Sequence, residues 1–73
     1  MNMEYIARFG ERGIAVNILG QLRSHYVARG QYDPARMRLL NDGIVLRDVP
    51  ESLLAKIAGR TKARYETIPA FGA

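Results

Sequence analysis

Histidine occurs once in this chain, as His25, and cysteine does not occur at all. A zinc site would need three carboxylates beside that histidine, a rare donor set, so His25 reads as an exposed helix residue and no metal is expected. The seven acids, Glu4, Glu11, Asp33, Asp42, Asp48, Glu51 and Glu66, are scattered along the sequence, and each has a local use as turn, cap or solvated partner. The stretch from Asp33 to Asp42 lacks the oxygen-ligand spacing of a calcium loop. Ser24 and Ser52 both fall in expected helices, and neither sits at the glycine-flanked elbow that exposes a nucleophile. Gly10-Glu11-Arg12-Gly13 leads into a helix N-terminus, where backbone N–H groups can hold a phosphate. It has neither the lysine nor the further glycines of a phosphate-binding loop and reads as a turn. With no catalytic set and no cofactor site, the chain is expected to bind rather than to catalyse.

Charge points to what could be bound. The net charge is +4, and arginine outnumbers lysine nine to two, which favours forked or phosphate-directed contacts over simple solubilising charge. Lys56, Arg60, Lys62 and Arg64 lie in one stretch without an acid and account for the whole excess, the remaining charges balancing. Cations are favoured at a helix C-terminus by the helix dipole, which explains Lys56 and Arg60 but not Lys62 and Arg64. The segment is therefore expected to touch phosphates or an acidic protein patch. A second candidate is the polar side of a sheet, where Arg8, Arg36 or Arg38, Arg47 and Arg64 would gather. Tyr5, Phe9 and Tyr65 are expected to point inward there, which removes the base-stacking platform that single-strand binders use. A third is the uncharged outward face of the first helix, Asn17, Gly20, Gln21, Ser24 and Ala28. Its small side chains would admit either a partner's backbone or the second helix of the same domain.

These residues need elements to position them. Met3 to Phe9 alternates with a period of two, as a half-buried strand does. Ala15, Ile18, Leu19, Leu22 and Tyr26 then recur at spacings of three and four, the inner face of a helix from about Glu11 to Arg29, which Gly30 stops in a left-handed conformation. Residues Gln31 to Asp48 carry competing signals. Asp33-Pro34 would cap a short helix, whereas Arg36-Met37-Arg38-Leu39 alternates and Asn41-Asp42-Gly43 marks a hairpin, being residues that tolerate the positive φ of tight loops. A hairpin is expected, with its register open because two- and three-residue loops place Leu39 and Leu40 on opposite faces. Asp48-Val49-Pro50-Glu51 has the form of a capping box, Leu53, Leu54, Ile57 and Ala58 form the buried side of a second helix ended by Gly59, and Tyr65 to Ile68 is a last strand. The expectation is an α+β domain over residues 1–68, a small antiparallel sheet with two helices on one face, followed by a loose tail over 69–73 in which Phe71 tucks against the domain. The alternative is a mostly helical chain with a third helix at Pro34 to Leu40.

The absence of cysteine fits a reducing cytoplasm. The longest uncharged stretch, Gly13 to Leu22, is far short of the ~20 apolar residues a membrane span needs, and the start Met1-Asn2-Met3-Glu4 lacks the order of a secretory leader. In length, lack of cysteine and arginine content, with Met1-Asn2-Met3-Glu4-Tyr5-Ile6 and Leu53-Leu54-Ala55-Lys56-Ile57 as the stretches that prompt it, the chain resembles small phage-encoded transcription regulators that bind host RNA polymerase, as in a Xanthomonas phage. The chain is expected to be a monomer, and the resemblance implies a protein of the host bacterial cytoplasm that takes part in host takeover. It would displace the sigma factor, inhibit transcription initiation and promote antitermination. Two other functions remain open: a basic nucleic-acid-binding repressor, to which a strand followed by helices is similar although the hairpin signal argues against it, and an inhibitor of a bacterial defence complex.

Overall fold

A computed structural model describes residues 3–70. Strand β1 (Glu4–Arg8) is followed by helix α1 (Arg12–Ala28), a single 3₁₀ turn (Pro34–Arg36), strands β2 (Met37–Leu39) and β3 (Gly43–Arg47), helix α2 (Glu51–Arg60) and strand β4 (Glu66–Pro69). The sheet is antiparallel throughout, with strands in the order β2-β3-β1-β4. The architecture is the expected α+β one, and the mostly helical alternative is set aside. This βαββαβ order is the split-βαβ, ferredoxin-like connectivity, which hosts many unrelated functions. Strand β1 is paired on both sides and has no free edge.

Alternation decides the two faces. Tyr5, Ala7, Met37, Ile44 and Leu46 point from the sheet into one cluster with Ala15, Ile18, Leu22 and Tyr26 of α1 and Leu54, Ile57 and Ala58 of α2. Burying each large aliphatic side chain contributes about 1.5–3 kcal/mol, and a domain this small has few of them to spare. The Tyr5 hydroxyl lies in this core and donates to the Val49 carbonyl at 2.7 Å. Burial, with a smaller effect of Glu51, pushes its pKa well above the ordinary tyrosine range.

Several local expectations change. The helical and strand signals between Asp33 and Leu39 are both realised, one after the other: the Asp33 carboxylate accepts from the Ala35 N–H at 2.9 Å to cap the 3₁₀ turn, and β2 begins at the next residue. The hairpin has the two-residue register, with Leu39 opposite Ile44 and Arg38 opposite Val45. Its loop does not use positive φ, which occurs only at Gly10, Gly30, Asp48 and Lys62 among the described residues. Gly43 is required instead by close approach to β1, since a Cβ there would lie 3.1 Å from the Arg8 Cα and collide with the Ala7 carbonyl oxygen. The expected capping box does not form. The Asp48 carboxylate accepts from the Met3 N–H at 3.0 Å, and Glu51 accepts from the Thr67 hydroxyl at 3.4 Å.

Both helices end in the same way. After α1 the Gln31 N–H reaches the Tyr26 carbonyl and the Gly30 N–H the Val27 carbonyl; after α2 the Ala63 N–H reaches Ala58 and the Lys62 N–H reaches Gly59. These are Schellman motifs with Gly30 (φ 66°) and Lys62 (φ 57°) in the left-handed position. Gly59, expected to end α2, lies inside it. At the C-terminal end the pairing continues past Ile68, with Pro69 opposite Tyr5 and the Ala70 N–H donating to the Glu4 carbonyl at 3.2 Å. The rest of the expected tail, 71–73 with Phe71, lies outside the described residues.

Candidate functional site

The uncharged strip on α1 and most of the basic segment, separate in sequence, meet on the outer surface of the helical layer. Residues 20, 24 and 28 share a face of α1 because helical neighbours recur every three to four residues. The second helix does not cover that face: a Cβ added to Gly20 would meet nothing within 4 Å, and Ser24 and Ala28 are exposed. Instead the C-terminal end of α2 borders it. Asn17, Gly20, Gln21, Ser24, His25 and Arg60 line one open depression of about 650 Å³. Asn17 also borders a second of about 250 Å³, lined by Gly13, Ile14, Ile18, Thr61, Lys62 and Ala63. The Gln21 amide donates to the Asn17 side-chain carbonyl at 2.7 Å, which fixes these two side chains against each other at the centre of the surface.

His25 reports how the cations gather. Desolvation, then the charges of Arg29, Lys56 and Arg60, hold its pKa below the ordinary histidine value. The Arg29 guanidinium also donates to the His25 carbonyl at 3.1 Å. Sequence reasoning placed His25 on the surface but did not connect it, or Arg29, with Lys56 and Arg60. A signal was present: no acid occurs between Glu11 and Asp33. Within α1 and α2 the only acid is Glu51, at the far end of α2 and turned to Thr67. Val16 and Val27 on α1 are 48% and 56% exposed, each one turn after an exposed arginine, Arg12 and Arg23.

The other expected contacts lie elsewhere. Arg64 lines a hollow at one end of the sheet with Arg8, Gly10, Asp42 and Glu66, so the basic segment is divided between two surfaces at Lys62. Arg8 pairs with Asp42 at 3.0 Å, the one ion pair among the described residues. Arg8, Arg38 and Arg47 share the open face of the sheet with Glu4 and Glu66, by strand register. As expected, Tyr5 and Phe9 are buried and Tyr65 packs on Phe9 with ring centroids 5.7 Å apart, so none of these three rings joins them.

Among the described residues no group of three or more potential metal ligands comes together, and no helix is long and apolar enough to cross a membrane. No family model matches the chain, and no curated protein or solved structure is significantly similar to it.

Proposed function

We propose that this protein is a non-catalytic regulator that binds host bacterial RNA polymerase in the cytoplasm through the outer surface of its helical layer. The observation that carries the binding mode is the uncharged depression of Asn17, Gly20, Gln21 and Ser24, edged by His25 and Arg60, with Lys62 on the adjoining depression that shares Asn17. A small, neutral floor admits close approach of another chain, and a cationic rim selects an acidic one and speeds encounter. Polymerase as that partner is supported by the resemblance to small phage regulators, which also supplies the expected consequences: displacement of sigma, inhibition of initiation and antitermination.

Capture from bacterial lysate on the immobilised protein tests this reading. Polymerase subunits are expected in the eluate at moderate salt, and their absence would sink the proposal. A second reading, direct binding to RNA or DNA phosphates, draws on the same layer, whose single acid, Glu51, lies at the far end of α2. It predicts binding to free nucleic acid whose affinity falls steeply with salt, by roughly one unit of log–log slope per phosphate neutralised. Specific binding to polymerase with only weak, salt-labile binding to free duplex separates the two.

A further inference from the structure

No helix packs on the other side of the sheet, which the 3₁₀ turn Pro34–Arg36 borders near Val45, and the charged residues of that face are arranged for a particular occupant. We propose that the open sheet face docks a second copy of this chain, related by a two-fold axis that runs along the strands between β1 and β3. The register places Glu4 beside Arg47, Ile6 beside Val45 and Arg8 beside Gly43 across β1 and β3, with Arg38 outside Val45 on β2 and Ile68 outside Ile6 on β4. Rotation about that axis exchanges β1 with β3 and β2 with β4. Glu4 then faces the partner's Arg47, Ile6 faces the partner's Val45, and Arg8 faces the side-chain-free position of the partner's Gly43. Arg38 overlies the partner's Ile68 and reaches the neighbouring Glu66.

Charge and exposure favour this occupant over a dissimilar one. The face is complementary to itself: each acid on it meets an arginine under the rotation, which an isologous interface requires. Glu4 and Arg47 are opposed within one chain, yet Arg8 with Asp42 is the one ion pair among the described residues, so both side chains remain available across the interface. Ile68 is 38% exposed and Ile6 half-buried, a small apolar contribution beside Val45, which is already buried within the single chain. Two sheets packed face to face in this way sit ~10 Å apart with strands aligned to within ~30°, and both helical layers stay free on the outside.

Sedimentation equilibrium of the full chain, from millimolar to low micromolar concentration and without any polymerase, tests the proposal independently of the function. A mass twice 8.2 kDa is expected at the upper end. Glu4→Arg is expected to weaken the dimer at least ~tenfold, because like charges then face each other twice, and Glu4→Arg/Arg47→Glu is expected to restore it. Ile68→Arg, on an exposed edge-strand position that leaves the core intact, should weaken the dimer similarly while circular dichroism stays unchanged. A monomer at every concentration would overturn the proposal, and so would a dimer indifferent to Glu4→Arg and Ile68→Arg.

Discussion

Lys62 occupies a backbone position that glycine would fill better, and its side chain lies where the basic rim meets α1. A left-handed conformation costs a residue with a Cβ about 1–2 kcal/mol, and the equivalent position after α1 is Gly30. Lys62→Gly is accordingly expected to stabilise the domain by about 1 kcal/mol, raising Tm by roughly 4–8 °C for a domain of this size, and to weaken partner binding at the same time. A thermal melt paired with a binding titration checks both; a stabilised variant with unchanged affinity removes Lys62 from the rim. The lysine was legible in the sequence as a cation without a structural excuse. Its conformation was not, because Gly59 offered a nearer stop signal and nothing local shows that the chain must run three residues further to bring Ala63 back onto Ala58.

At the level of elements, α1 is the informative one. Its inner face was legible from apolar spacing and its end from Gly30, whereas the stretch from Asp33 to Leu39 held two true signals in sequence that looked like rivals. The capping box at Asp48 was misread for a tertiary reason: the Met3 N–H, distant in sequence, takes the carboxylate that the helix would otherwise use. Gly20 is the unexplained residue of α1. It sits in mid-helix with open space where a Cβ would be, and alanine there should stabilise the helix by about 1 kcal/mol. Gly20→Ala is expected to raise the urea midpoint while reducing affinity for the partner that approaches the strip. A gain in stability with full affinity would mean that no backbone comes close at Gly20.

On the scale of the whole molecule, the fold sorts charge by layer in a way that sequence order hides. Lys56, Arg60 and Lys62 stay with the helices, and Arg64, two residues later, joins Arg8 and Asp42 at the end of the sheet. The succession of elements along the chain, the two helices on one face and the inward aromatics could be anticipated from periodicity, but the strand order in the sheet was not. The meeting of the α1 strip with the end of α2 could not, since it depends on how two helices cross rather than on either sequence alone. An equilibrium titration of host RNA polymerase with labelled full-length protein tests the central claim most directly, comparing the natural sequence with Lys56→Glu/Arg60→Glu/Lys62→Glu and with Arg64→Glu. The helical-layer variant is predicted to bind at least ~tenfold more weakly, a loss of about 1.4 kcal/mol or more, and Arg64→Glu to bind within about twofold of the natural sequence, a difference under ~0.5 kcal/mol. Equal affinity for the triple variant, or a loss at Arg64→Glu as large as the triple variant's, would contradict the account.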